Sequence, residues 1–420
     1  MHSGKGMNAF IRQQRRHGRE SKLPLKNIRV IDLSAVVSAA FAATFLGDFG
    51  AEVIKIENPN LPDAVRGWGV REGGIQPWWS VISRNKLPLT LNLRLPEGVK
   101  ILAELIPKSD VLIENMRVGV LDRLGFTAER LFQLNKGLVI GRVTGYGQTG
   151  PYAPRPGFGT LAEGFSGYTY LNAPRGGVPL SPPLPLADMI AGQQLAFGVM
   201  VALRGVKRGK YGGQEIDVSL YEPLLGLLGA NFLDYWLTGE IPQSWGNELS
   251  YTVPRNNYQT KDGRWVVLSA SAQGPFERLM DAIGKPELKT DLRFQTNEER
   301  IKRDNRAELN RLISEWFAKM NLDEALETCA RLEITAGSIA NMRDIDEDRH
   351  VQERKTLVDM IDPATKRHFR MPDVSIRLSN SPGKTRFPGL PFGSANEVIY
   401  QDLLGYLPEQ LEELRHLKVL

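Results

Sequence analysis

The chain has 420 residues, 42% of them hydrophobic and 24% charged, with a formal charge of +5 and one cysteine, Cys329. A single cysteine excludes an internal disulfide and any cysteine-cluster metal site; with its leucine-rich surroundings Cys329 reads as a packing residue, and the usage fits a reducing compartment such as the cytoplasm. No uninterrupted apolar run reaches the roughly 18 to 20 residues of a membrane span, so no membrane partner is expected, and the length allows two domains.

The positive charge comes from one end. Residues 1–26 carry Lys5, Arg12, Arg15, Arg16, Arg19, Lys22 and Lys26 against Glu20 alone, and without them 46 basic and 47 acidic residues remain. The body is therefore near neutral, which gives no support to a nucleic-acid partner. Residues 1–24 read as a disordered basic tail, or as a mitochondrial transit segment that would move the protein to the matrix.

From residue 25 short β-rich runs alternate with helical ones: IRVIDL, SAAFAATFLGDFG, AEVIKIE, LPLTLNL, a helix opened by Pro96 and Glu97, DVLIEN, a helical pair, and LVIGRVTGYG. Such alternation predicts an α/β fold with a doubly wound parallel sheet, extending over 25–237. Gly, Pro, Ser and Asn crowd residues 238–255, read as a linker. A hairpin with Asp262 and Gly263 at its turn and amphipathic helices then predict a smaller α+β domain over 256–341. A second linker region spans 342–373, and 374–420 is proline-marked loop followed by two helices.

The segment richest in chemical signal lies between residues 145 and 188, where the loop GYGQTGPYAPRPGFG leads to LPLADMIAG. Asp188 has no charged sequence neighbour and stands where a long apolar helix begins. Two readings stay open on position alone: an N-cap, for which Asp is favoured, or a nucleophile facing free backbone N–H groups. All five histidines are remote from this loop, leaving no local Ser-His-Asp arrangement or zinc site. No GxGxxG follows the first strand, GFGTLAEG has the wrong spacing, and no GxxxxGK[ST] occurs. Carboxylate chemistry is what remains, with no metal and no tightly bound cofactor expected.

Six ordered blocks resemble the class III coenzyme A transferases, typified by formyl-CoA transferase and the carnitine CoA-transferases, with α-methylacyl-CoA racemase as a relative. They are VIDLS followed by GDFGAEVIKIENP, SRNKLPLTLNLRLPEG, DVLIENMRVGVLDRLGF, GYGQTGPYAPRPGF, LADMIAG and RGKYGGQEIDVSLYE. The resemblance implies a large Rossmann-like domain completed by both ends of the chain, a small middle domain, and an interlocked homodimer. It implies that Asp188 attacks an acyl-CoA thioester to give a mixed anhydride and then an aspartyl-CoA thioester, from which an acceptor acid collects the CoA. By the same resemblance acyl-CoA is a substrate, and its contacts fall on Val37, Ser38, Asn58, Asn85, Lys86, Asn115, Met116, Arg117, Arg123, Thr144, Gly145 and Tyr146. Taken alone, Lys86 and Arg123 read as solvated surface charges; within the matched blocks they read as CoA contacts.

Several departures narrow this reading. Asn58 stands where formyl-CoA transferase has arginine, Val37 replaces its glutamine, and GNELSYTVPRNNYQ takes the place of its glycine-rich lid, which argues against formate or oxalate. A racemase's histidine is replaced by Phe158, which accepts no proton and reads otherwise as core packing. The expected reaction is transfer from succinyl-CoA or a similar diacyl-CoA to a small dicarboxylic acid such as citramalate, mesaconate or glutarate. Arg66, Arg142, Arg155 and Arg175 are candidates for the acceptor's second carboxylate. The alternatives are an acyl-CoA racemase or isomerase and an inactive CoA-binding homologue, the latter disfavoured by retention of Asp188.

Overall fold

The computed structural model describes residues 2–420, with the side chains of residues 2–4 and 19 left aside. Two compact units emerge: one of residues 1–168, 181–230 and 350–420, the other of residues 169–180 and 231–349.

The first unit opens with α1 (His2–Glu20) and continues through β1 (Arg29–Asp32), α2 (Ser38–Asp48), β2 (Glu52–Glu57), α3 (Pro77–Ile82), β3 (Lys86–Thr90), α4 (Pro96–Leu105) and β4 (Val111–Glu114). Then come α5 (Val120–Arg123), α6 (Ala128–Leu134), β5 (Val139–Thr144), α7 (Gly159–Phe165), α9 (Leu186–Lys207), β6 (Gln214–Ser219) and α10 (Glu222–Leu227), while the short α8 (Tyr168–Leu171) between α7 and α9 falls almost wholly in the second unit. The six strands form one parallel sheet in the order β3-β2-β1-β4-β5-β6, the order of a doubly wound α/β sheet. Its inner strands are near-continuous apolar runs because both faces are covered. Alternate residues of one strand serve opposite cores: Val30 packs with α2 and α9, Ile31 with α4 and the carboxyl-terminal helices.

By length and apolar content α9 could cross a bilayer, yet it packs on α2, β5 and β6 as the core helix of this unit. It crosses α2 so closely that any Cβ on Gly192 would collide with the Ser38 carbonyl. The chain's end returns to the edge strand β3, where Tyr400 Oη donates to Thr90 O at 2.8 Å and Ala395 N to Pro88 O at 3.0 Å.

The amino-terminal segment departs from its sequence reading. Rather than a disordered tail it forms α1, because Met7, Phe10 and Ile11 make a short apolar stripe at helical spacing. Ile11 is fully buried, Phe10 meets Phe387 edge-on at 5.9 Å, and Arg12 holds Asp402 with two hydrogen bonds of 2.9 and 3.1 Å.

In the second unit an antiparallel sheet β7 (Arg255–Gln259), β8 (Trp265–Ser269) and β9 (Ala336–Ser338) packs against the helices Gln273–Ala282, Arg303–Phe317 and Leu322–Arg331. Cys329 is buried in this core, which raises its thiol pKa to about 11. Residues 169–180 cluster with this unit, although the sequence pattern assigned them to the large domain. The stretch read as a second linker carries the hairpin β10 (Leu357–Ile361) and β11 (His368–Pro372).

Candidate active site

In a doubly wound sheet the connections on either side of the order reversal leave in opposite directions, opening a crevice at the strands' carboxyl ends. Here the reversal falls between β1 and β4. Asn115, just past β4, bridges it: its Oδ1 accepts Ala35 N at 2.8 Å, and its Nδ2 donates to Ala35 O at 2.8 Å and to Ser38 Oγ at 3.2 Å. Glu114 fixes the same turn by accepting the Met116 N–H at 2.6 Å. A cavity of about 290 Å³ lies along this edge, with Ala35, Asn58, Arg94, Met116 and Val120 in its wall.

Four of the expected CoA contacts, Ser38, Asn58, Asn115 and Met116, therefore gather at the crevice. Arg117 and Arg123 are exposed on and after the connection that includes Val120. Arg94 was missed from sequence. It is an exposed cation four residues after β3, and asking which basic residue follows each strand would have found it.

Asn85 and Lys86 behave differently, since both side chains are spent inside the fold. Lys86 Nζ reaches Asp32 Oδ2 at 3.0 Å and Ala40 O at 2.6 Å, and both it and Asp32 are essentially inaccessible. Asn85, at φ 62°, donates to Asp48 Oδ1 and Lys384 O and accepts Arg386 N–H. Burial outweighs the pull of Asp32 and leaves the Lys86 ammonium below its ordinary pKa.

Asp188 enters through α9. The N-cap is Pro185, so Asp188 is the third helical residue, and the capping alternative does not describe it. α7 shapes what surrounds its carboxylate. Gly159 lies so near that an added Cβ would collide with Asp188 Oδ2, and Glu163, one turn further along α7, is buried and accepts Ala187 N–H at 3.3 Å. The carboxylate thus has one carboxylate neighbour and no ion-pair partner among the described residues. Burial first, and Glu163 second, push its pKa up to about 6.

Next to Asp188, Met189 packs with Val36, Val37 and Trp79, bringing the β1–α2 turn and the start of α9 side by side. Val37 is wholly buried. The third segment is the loop after β5, closed where Gly145 and Gly157 touch: a Cβ on either would stand 2.6 Å from the other's Cα. Thr144 is buried with its hydroxyl unpartnered among the described residues, and Tyr146 joins Tyr152, Phe165 and Tyr221 in an aromatic cluster. Phe158, read from sequence as core packing, is 66% exposed at the start of α7.

Two of the four arginines are already committed. Arg66 is bidentate to Glu57 at 2.9 and 2.6 Å and stacks on Trp79, while Arg142 is buried against Glu114 and Glu215. Arg155, exposed over the Tyr152 ring in the first unit, and Arg175, over Trp245 in the second, remain.

Comparison with known proteins gives this geometry a context. Residues 25–395 match the family model of CoA-transferase family III. The chain is 37% identical over 402 residues to succinyl-CoA–D-citramalate CoA-transferase of Chloroflexus aurantiacus, covering 94% of this chain and 98% of that one. It is 29% identical to human succinyl-CoA:glutarate CoA-transferase over 93% and 88% of the two chains. Among solved structures, a CAIB/BAIF family protein from Brucella suis superposes with a TM-score of 0.79 at 27% identity, covering 91% of this chain and all of the other. Family match and relatives agree: the chain belongs to CoA-transferase family III and is a CoA-transferase acting on CoA thioesters.

Proposed function

We propose that this enzyme moves CoA from succinyl-CoA to a small dicarboxylic acid of the citramalate, malate or glutarate kind, through covalent intermediates on Asp188. The observation that carries the reading is the Asp188 carboxylate itself, half-buried at the start of α9 beside Gly159 with no cationic partner among the described residues. A poorly solvated carboxylate held in one place is a competent nucleophile toward a thioester.

An Asp188 oxygen attacks the thioester carbonyl; the carbon–sulfur bond breaks and CoA leaves as thiolate, giving an aspartyl-succinyl anhydride. The thiolate then attacks Cγ of Asp188 and expels succinate. The acceptor carboxylate attacks the resulting aspartyl-CoA thioester, and the thiolate closes on the acceptor's acyl carbon, regenerating Asp188. Backbone N–H groups at the start of α9 stabilise the oxyanions. The crevice walled by Asn58 and Met116, with Asn115 bonded to Ala35 and Ser38 beside it, holds the CoA, and Arg94 meets its phosphates. The substrate class is supported by the names of the relatives, two of which are a citramalate and a glutarate transferase using succinyl-CoA. Phe158 offers no second base for racemisation.

The acting unit in this reading is a homodimer. Phe197, Met200 and Val201 on α9 are 73%, 41% and 56% exposed, an apolar strip that a second copy would cover. The decisive experiment incubates the protein with succinyl-CoA and sequences the peptide containing Asp188 by mass spectrometry. A CoA or succinyl adduct on Asp188 is expected; absence of both adduct and CoA exchange across a panel of dicarboxylic acids would overturn the proposal.

A further inference from the structure

The basic charge of the amino-terminal segment has no part in the transfer chemistry, and the fold collects it at the sheet's other edge. At the amino ends of β1, β2, β3 and β4, opposite the carboxyl-end crevice, lies a second cavity of about 300 Å³. Its wall carries five cations, Arg15, Lys26, Arg29, Lys108 and Arg386, against two carboxylates, Glu52 and Asp110.

Those carboxylates are already engaged. Glu52 pairs with Arg15 through Nε and with Arg29 at 2.6 Å, and Asp110 accepts the Arg29 N–H at 2.7 Å. Two guanidinium nitrogens are left over inside the protein. Arg15 Nη2, on a side chain more than nine-tenths buried, and Arg386 Nε have no hydrogen-bond partner among the described residues. The Arg386 guanidinium otherwise makes a 3.5 Å contact to Gly47 O and lies over the Phe387 ring at 5.5 Å, and it approaches α1 where Gly18 carries no side chain, its Nη1 3.1 Å from where a Cβ would be.

A buried N–H without an acceptor is costly, and a water molecule would satisfy it without neutralising the charge. An oxyanion does both, and the guanidinium fork suits phosphoryl oxygens. The volume exceeds what a single phosphate fills. We propose that this cavity is a second, non-catalytic anion site that takes a diphosphate or phosphate-ester group, held by Arg15, Arg386, Lys26 and Lys108, and that its occupancy fastens α1 to the sheet.

Inorganic pyrophosphate is the probe. Titrated into the full chain at low salt, it should bind saturably, raise the melting temperature, and slow tryptic cleavage at Arg12 and Arg16 in α1. Lys26→Gln combined with Lys108→Gln removes two exposed cations that hold no buried partner. That variant should keep wild-type CoA transfer without pyrophosphate and lose about tenfold or more in pyrophosphate affinity, one charge-assisted contact being worth roughly that factor. Arg386→Gln should do the same while leaving Arg15–Glu52 intact. Undiminished pyrophosphate binding in both variants would put the anion in the CoA crevice and overturn the proposal, as would no binding to the wild type at millimolar pyrophosphate. Binding that leaves α1 cleavage unchanged would overturn its fastening role.

Discussion

Two aspartates of the same unit have opposite surroundings. Asp32 ends β1 with no exposure, and although burial alone would raise its pKa, Lys55, Lys86 and the Ser34 hydroxyl hold it below the ordinary carboxylate range. Asp188 starts α9 with burial and Glu163 both working against ionisation, and rises to about 6. At Asp32 every charge is answered, which makes a fixed structural element. At Asp188 the nearest titratable group has the same sign, which makes a group that gains by forming a bond. Where local pairing fails within an otherwise satisfied fold, chemistry is the expected reason.

The sharpest way to break this comparison is Asp188→Asn. It should lower kcat by about 10³-fold or more while far-ultraviolet circular dichroism and melting stay unchanged. A variant with substantial activity would end the nucleophile assignment. Next in size is Lys86→Met, which leaves Asp32 buried with half its compensation. Urea unfolding should show a loss of about 3 to 5 kcal/mol, and a loss below about 1 kcal/mol would mean that Asp32 is not held as described. Gly159→Ala pushes a methyl group against the Asp188 carboxylate. A displacement of that order should cost about 10²-fold in kcat with little change in stability, since the backbone of α7 itself can accept alanine.

The smallest effect is a shift rather than a loss. The proposed attack requires ionised Asp188, so kcat should fall as pH drops through about 6. Glu163→Gln keeps an acceptor for the Ala187 N–H but removes the negative neighbour, so Asp188 ionises more easily and the acidic limb should move to lower pH. An unmoved limb in kcat–pH profiles would leave burial as the cause of the raised pKa and assign Glu163 to holding the helix start alone.

Much of this was legible in the residues. Continuous apolar runs such as VIDL and VLIE, punctuated by helix-length segments, can hardly be anything but strands buried on both faces. The resemblance of the blocks around Asp188 is what singles it out for the proposed role, and Ser38, Asn115 and Met116 do lie close together. Lys86 could not be read correctly, because a lysine beside an asparagine looks exposed until the fold places Asp32 against it. Gly159 and Glu163 were in view within GFGTLAEG but were weighed as a glycine motif. Their meaning lies in the one-turn spacing on α7, which faces both toward the start of α9. The helix α1 was hidden by composition, since seven basic residues in 26 outweigh a stripe of three apolar ones in any average.

The contact at Gly192 has a consequence for how such an enzyme can change its acid. Because α9 is packed backbone to backbone against α2 one turn beyond Asp188, the proposed mechanism has its attacking oxygen positioned by the helix pair rather than by the loops around it. On that mechanism the loop closed by Gly145 and Gly157 can gain or lose an arginine, or change its length between those two points, without moving the Asp188 carboxylate. Selection for a new acceptor acts on one part of the molecule and selection for transfer on another, so the two can be altered independently.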